Sequence, residues 1–366
     1  MQKTTVVILK ETEGLNPQTK INFKPMQEYA EIASKTFGEQ IVLSDNDTFP
    51  EISGTVILIK ASLPLITEDA ISAVLSFHEE NNNKATVVTV PESKEIGICI
   101  FDADEIKDIS LSDIGSVLAK TKDSGAFIAE DKTDFLCVRD RVDVAIADKI
   151  IRERVAFSLM LEGVTVINPE NTYIESGVKV GFDTVIYPGT VIEGNSKIGE
   201  GCILYPNCAI KNCTIGDRVE IKSSTLVDST IGSDVTVGPY AYVRPGSEIG
   251  NHTKIGDFVE VKKAKIGDGT KISHLTYVGD AVVGKGVNFG CGTVTVNYDG
   301  KNKFLTEIGD NAFIGCNTNL VAPVKVGDNA FIAAGSTITD EIPDDAFAIA
   351  RSRQTNKQGW VKPKDK

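Results

Sequence analysis

A small aliphatic residue followed by glycine returns along the second half of this chain in steps of six. Val180-Gly181 and Ile198-Gly199 stand eighteen apart, as do Ile231-Gly232 and Ile249-Gly250, and Ile308-Gly309 and Val326-Gly327. Single steps of six join Ile231 to Val237, Ile249 to Ile255 and Ile308 to Ile314. A period of six nested in eighteen reads as three short strands per coil, stacked as a solenoid. From about Val178 to Ala350 the pattern therefore predicts a β-helix of hexapeptide repeats. Aromatics are only 7% of the chain and glycines number 32. That suits a narrow interior that takes Val, Ile, Ala and Thr rather than Trp.

At 366 residues the chain is long for one domain, so two are expected. A formal charge of −13 argues against non-specific binding to nucleic acid or anionic membranes, which calls for a basic surface. It leaves room for local basic clusters around a phosphorylated small molecule. There is no N-terminal apolar stretch with a cleavage site and no long apolar run, so a cytoplasmic protein is expected. The seven cysteines, at 99, 137, 202, 208, 213, 291 and 316, include no Cys-x-x-Cys pair. They read as small buried hydrophobes in a reducing compartment, and no metal site is expected.

Residues 1–139 alternate strands and helices. Thr4–Leu9, Thr55–Ile59 and Ala85–Val90 read as strands, with Ile96–Phe101 as a candidate fourth. Lys24–Phe37 and Thr67–Phe77 read as helices. This order predicts an α/β domain with a largely parallel sheet. Residues 140–163 form a helix joining the halves, with Asp140 as its cap and Val142, Ile146, Ile150, Ile151, Val155 and Leu159 along one side.

The middle of the repeat carries residues that a bare scaffold does not need. They are Arg244, Glu260, Lys262, His274, Tyr277 and Asn288, followed by a break in the repeat that opens at Asn297-Tyr298-Asp299-Gly300. Arg244 and Lys262 are eighteen apart, one coil, so their side chains should stack about one layer apart. Two stacked cations are costly unless an anion sits between them, and a phosphate is the natural one. A single Arg or Lys on a solenoid stacks harmlessly, and a lone His is usually structural. The set taken together is what suggests a site. An imidazole near neutral pH can take the proton that an attacking amine must lose.

These strings resemble the bifunctional N-acetylglucosamine-1-phosphate uridyltransferase/glucosamine-1-phosphate N-acetyltransferase family. The matching pieces are Arg244-Pro245-Gly246, Lys262-Lys263-Ala264, His274-Leu275-Thr276-Tyr277, Asn297-Tyr298-Asp299-Gly300 with Lys303, and Asn319-Leu320-Val321-Ala322-Pro323. The ending Arg351-x-x-Gln354-Thr355-x-Lys357-x-Gly359-Trp360 matches too. The resemblance implies a left-handed parallel β-helix over 164–350 and a CoA-binding tail over 351–366. It also implies a homotrimer with sites between subunits. The implied reaction moves acetyl from acetyl-CoA to glucosamine 1-phosphate, supplying UDP-N-acetylglucosamine and cell-wall precursors. His274 becomes the general base and Glu260 its orienting partner. Arg244, Lys262, Tyr277, Asn288 and Lys303 would hold the sugar phosphate, with Lys303 reaching a neighbouring subunit's substrate. Asn297 and Tyr298 would lie near the acetyl group. Cys291, Cys316 and Ala334 would line the path of acetyl-CoA, and Arg351 and Lys357 would meet its phosphates. Backbone amides near Cys291 and Gly292 are candidates for the oxyanion donor.

The N-terminal half resembles the family's nucleotidyltransferase domain, as a shortened Rossmann-like version with three departures. Lys10-Glu11-Thr12-Glu13-Gly14 replaces a glycine-rich triphosphate loop, Ala61-Ser62 replaces a Gly-Asp whose Asp holds Mg²⁺, and Arg139 replaces an Asn that holds Mg²⁺. The expectation is therefore an acetyltransferase without uridyltransferase activity and without a Mg²⁺ site. The alternatives are another amino-sugar phosphate as acceptor, residual uridylyl transfer, and a non-catalytic trimeric scaffold.

Overall fold

The computed structural model describes residues 3–11, 14–91, 97–106, 121–129 and 131–360. The chain divides into two compact units, Met1–Val155 and Ala156–Lys366.

The first unit holds a six-stranded sheet. Thr4–Lys10 lies between Glu39–Ser44 and Thr55–Lys60, parallel to both. Ile98–Asp102 then runs antiparallel to Thr55–Lys60 and to Ala85–Thr89, and Ser124–Ile128 closes the far edge parallel to Ala85–Thr89. The sheet is therefore mixed rather than largely parallel. The chain between Thr89 and Ile98 is too short for the crossover of a dozen or more residues that a parallel return needs. Helix Met26–Ala33 is shorter than expected, because Lys24-Pro25 is taken into a small antiparallel pair with Lys20-Ile21. Helix Glu68–Glu80 starts where Thr67 Oγ1 accepts from the Ala70 amide at 3.2 Å. Val6, Ile8, Ile57, Ile59, Ile98 and Ile100 form one side of the core, against Ile71 and Val74 of that helix.

The connecting helix runs Arg141–Leu161. Asp140 Oδ1 caps it, accepting from the amides of Val142 and Asp143 at 2.8 and 2.9 Å. Its inward face keeps Ile151 and Leu159 of the set read in sequence but differs at the helix start. Val142 and Ile146 are exposed, while Asp143, Ala147 and Ile151 are buried. The cause is local: Asp143 Oδ2 accepts from the Arg139 amide at 3.0 Å, which turns the polar Asp143 inward at the helix start. Ala147 and Ile151 pack on Ile21, Met26 and Leu65.

The second unit is a parallel β-helix. One wall is an 11-stranded sheet, and the other two walls are linked into a 17-stranded one. Along the short strands an exposed residue is followed by a buried one, as at Lys197-Ile198 and Thr230-Ile231. The buried aliphatics stack coil on coil through in-register pairs such as Ile198 with Ile215 and Ile231 with Ile249. The glycine that follows each has a steric cause. A Cβ on Gly199 would lie 2.3 Å from Asp217 Oδ1 and 2.5 Å from the Gly216 carbonyl oxygen. That close approach lets Asp217 Oδ1 accept from the Glu200 amide at 2.9 Å, and Asn251, Asp268, Asp310 and Asp328 repeat the contact on later coils. Within the interior, Cys202 and Cys208 donate to backbone carbonyls at 3.2 and 3.0 Å.

Candidate active site

Coils at the centre of the solenoid bring the polar set to one corner and the start of the wall that follows it. His274 and Asp257 are register partners on neighbouring coils. Their Nδ1 and Oδ1 atoms are 2.5 Å apart. This hydrogen bond is the main reason the Asp257 carboxyl is held below the usual carboxylate range. In a neutral imidazole, donation from Nδ1 to the carboxylate leaves the lone pair on Nε2, and the His274 side chain is exposed.

Glu260, expected to orient the imidazole, does something else. Its Oε1 accepts from Arg244 Nη1 at 2.7 Å. Register decides this: Glu260 begins the next wall and lies between Tyr242 and Tyr277, whereas Asp257 lies opposite His274. The sequence signal for Asp257 was present as a carboxylate one coil, 17 residues, before the histidine.

The basic residues do come together. The Arg244 amide donates to the Val261 carbonyl at 2.8 Å, so Arg244 lies one coil before Lys262. Lys262 Nζ is 4.0 Å from Asp280 Oδ2, and Asn297 Nδ2 donates to that same oxygen. Within the chain, Lys303 lies beside Lys262. The close approach of the Lys303 amine, then burial, then the Lys303 charge push the Lys262 ammonium below its ordinary value, with Asp280 opposing. The break in the repeat places Lys303 there. Tyr298 and Lys303 pair as an antiparallel bridge, and Asp299 Oδ1 accepts from the amides of Lys301 and Asn302 at 2.8 and 2.6 Å, tying a tight loop. Tyr298 is exposed, and its hydroxyl donates to the Gly300 carbonyl at 2.6 Å.

Cys291, Cys316 and Ala334 follow His274 up the same corner. The Asn317 amide donates to the Cys291 carbonyl and the Gly335 amide to the Cys316 carbonyl, each at 2.8 Å. Arg351 passes over the top of this column, with its Cδ 3.5 Å from where a Cβ on Gly335 would lie. Lys357 packs over the Trp360 ring at 5.1 Å from its centroid. Asn288 comes from a different wall of the coil than Lys262. It sits on the preceding wall between Lys271 and Phe313. The other two histidines are structural or exposed. His78 is buried with Nδ1 3.0 Å from Thr86 Oγ1, and His252 is exposed beside Asp234.

Residues 177–212, 228–263 and 305–340 match the bacterial transferase hexapeptide family (six repeats). The bifunctional protein GlmU of Acetivibrio thermocellus is 47% identical over 356 residues, covering 84% of this chain and 77% of that protein. Its namesake from Clostridioides difficile is 43% identical over 359 residues, covering 85% and 78%. The Geobacillus protein of that name is 42% identical over 395 residues, covering 94% and 85%. The chain belongs to the GlmU family.

In this GlmU-family chain the first unit also has a cavity, of about 390 Å³, lined by Glu11, Lys60, Ser62 and Arg139 among others. It opens beyond the carboxyl ends of the parallel strands Thr4–Lys10 and Thr55–Lys60, where open α/β sheets bind ligands. Its lining includes Glu11, Ala61-Ser62 and Arg139, the positions read in the sequence as departures from the resembled pattern; Thr12 and Glu13 lie outside the described residues. Glu11 accepts from Lys60 Nζ at 2.7 Å and from Ser62 Oγ at 3.0 Å. Arg139 Nε donates to Asp143 Oδ2 at 3.2 Å.

Proposed function

We propose that this chain transfers acetyl from acetyl-CoA to the amino group of glucosamine 1-phosphate, giving N-acetylglucosamine 1-phosphate. The observation that carries the reading is the Asp257–His274 pair standing one wall-turn from the Arg244, Lys262 and Lys303 cluster. The cations take the sugar phosphate, and the repulsion now acting on Lys262 is relieved when an anion enters. Lys303, on the protruding loop, reaches a neighbouring subunit's substrate. Tyr277 flanks the sugar, and Asn288 contributes from the preceding wall. His274 Nε2 takes the proton released as the neutral amine attacks the thioester carbon, and returns it to the departing CoA thiolate. Asp257 keeps Nε2 in the accepting tautomer and steadies the imidazolium that forms. Asn297 and Tyr298 border the acetyl group. Cys291, Cys316 and Ala334 line the path of the CoA arm toward Arg351 and Lys357.

The functional division that goes with this reading assigns 1–139 to the nucleotidyltransferase-like domain, 140–163 to the linker, 164–350 to catalysis and 351–366 to CoA. Tyr240, Phe258 and Leu275 support a homotrimer with sites between subunits. They stack at one exposed corner in the left-handed backbone region, which bulky side chains rarely adopt, and Phe258 and Leu275 directly follow Asp257 and His274. No helix among the described residues is long and apolar enough to cross a membrane. With thiols buried and unbridged in the core, this fits a reducing cytoplasm.

Uridylyl transfer is the activity we propose to be lost. The donor set of the first unit's cavity does not fit Mg²⁺, which wants anionic or neutral oxygens in octahedral array. Among the described residues that line it Glu11 is the one carboxylate, it is engaged by Lys60 and Ser62, and the Arg139 guanidinium stands beside it. The test is a paired assay of the full chain. With acetyl-CoA and glucosamine 1-phosphate, CoA release is expected, and His274→Ala lowers it by roughly a hundredfold to ten-thousandfold with the β-helix intact by circular dichroism. With UTP, Mg²⁺ and N-acetylglucosamine 1-phosphate, no pyrophosphate is expected. Undiminished turnover in His274→Ala overturns the base, and pyrophosphate release overturns the loss.

A further inference from the structure

The expectation that all seven cysteines are small buried hydrophobes holds for five of them. Cys99, Cys137, Cys202, Cys208 and Cys213 are buried, whereas Cys291 is half-buried and Cys316 exposed. Burial pushes the thiols of Cys99, Cys202 and Cys213 up, and that of Cys208 up to about 11. Those four hold little thiolate near neutral pH and are shielded from reagents.

Cys291 and Cys316 are also neighbours. Asn288 and Phe289 pair in register with Phe313 and Ile314. The Gly290 amide donates to the Ile314 carbonyl at 2.7 Å, and the Asn317 amide to the Cys291 carbonyl at 2.8 Å. Carried two residues further, that register sets Cys291 opposite Cys316 on the next coil. The coils are tight here, since a Cβ on Gly290 would come within 2.8 Å of Cys316 Cα. Paired parallel strands lie about 4.8 Å apart, inside the Cα separation of about 4.4–6.8 Å that a disulfide accepts.

We propose that Cys291 and Cys316 are a paired-thiol modification site, oxidised by a small-molecule disulfide to a bridge across two coils. The exposed Cys316 thiolate attacks one sulfur of the oxidant and expels its first thiolate. The Cys291 thiolate then attacks the Cys316 sulfur of the mixed disulfide and expels the second. Two protein thiols thus lose two protons and two electrons, and the oxidant leaves as two thiols. In-register Cβ atoms at the strand spacing are wider apart than the roughly 3.8 Å of a relaxed bridge. The bridge is therefore strained and easily reduced, a reversible mark rather than a permanent staple. That the bridge also stops acetyl transfer rests on the proposed function, because only that reading sets the CoA arm against this column. The bridge itself does not depend on it.

The experiment treats the full chain with glutathione disulfide at slightly alkaline pH, blocks remaining thiols, and maps peptides by mass spectrometry with an acetyl-transfer assay in parallel. The expected product is a linked pair of peptides carrying Cys291 and Cys316, lighter by two hydrogens and reversed by dithiothreitol. Cys291→Ser should trap glutathione on Cys316. Phenylarsine oxide, which needs two thiols, should bind once per wild-type chain and not to either single serine variant. Separate glutathione adducts on both cysteines of the wild type, or failure of the arsenical to bind it, overturn the proposal. A bridge formed in a chain that shows no acetyl transfer in its reduced state sinks the functional reading and leaves this one standing.

Discussion

Two glycines two residues apart test why the repeat needs glycine. Gly267 follows the buried Ile266, and a Cβ there would lie 2.5 Å from both the carbonyl carbon and oxygen of Gly284 on the next coil. These are backbone atoms, so the methyl of Gly267→Ala is accommodated only by parting the coils. Two hydrogen bonds cross that seam, from the Gly267 amide to the Val283 carbonyl and from the Gly286 amide to the Asp268 carbonyl, each at 2.9 Å. Loosening both costs about 2 kcal/mol at a net ~1 kcal/mol each. Overpacking adds about 1–3 kcal/mol, so the expected loss is roughly 3–5 kcal/mol. Gly269 is different: it has a φ of +69° and nothing within 4 Å of its added Cβ. Gly269→Ala should cost only the left-handed backbone, about 1–2 kcal/mol. Gly269→Asn should cost less, because Asn311 and Asn329 hold φ near +56° at the equivalent place on later coils. Urea unfolding followed by circular dichroism measures all three. If Gly267→Ala is no worse than Gly269→Ala, glycine is not there for coil contact and the steric account of the repeat fails.

The two carboxylates near His274 should separate kinetically. Asp257→Asn is expected to lower kcat about tenfold or more with little change in KM for the sugar phosphate. Glu260→Gln frees the Arg244 guanidinium and should act mainly on that KM; the reverse pattern would restore Glu260 as the orienting residue. Lys262→Ala should raise the same KM and weaken the dependence of binding on salt, measured by titrating glucosamine 1-phosphate at two ionic strengths. In the first unit, burial lowers the pKa of His78 from 6.5, against the opposing charges of Asp102 and Glu79. Both states are neutral above that value; below it the unfolded chain binds a proton first, so stability falls as pH drops from about 6.5 toward the folded pKa. His78→Gln should flatten that slope between pH ~7.5 and ~5.5 in urea melts.

Much of the second unit was legible before any coordinates. Its aliphatic-glycine period specifies three strands per coil, because only every sixth side chain points inward at the same place on each wall. The eighteen-residue step correctly stacked Arg244 against Lys262. The helix cap Asp140 was legible for a similar reason: capping depends on residues within one turn. The partner of His274 was not. Its coil is one residue short, so register, and not a count of eighteen, sets Asp257 opposite the imidazole and sends Glu260 to Arg244. The neighbourhood of Cys291 and Cys316 was hidden similarly, because the loop closed by Tyr298 and Lys303 stretches that coil to 25 residues. Nor did the strand pattern of the first unit disclose that Ile98–Asp102 runs antiparallel. Sequence period determines what stacks when every coil has one length. Where coils shorten or bulge, the backbone hydrogen bonds between layers choose the neighbours, as they do for Asp257 with His274 and for Cys291 with Cys316.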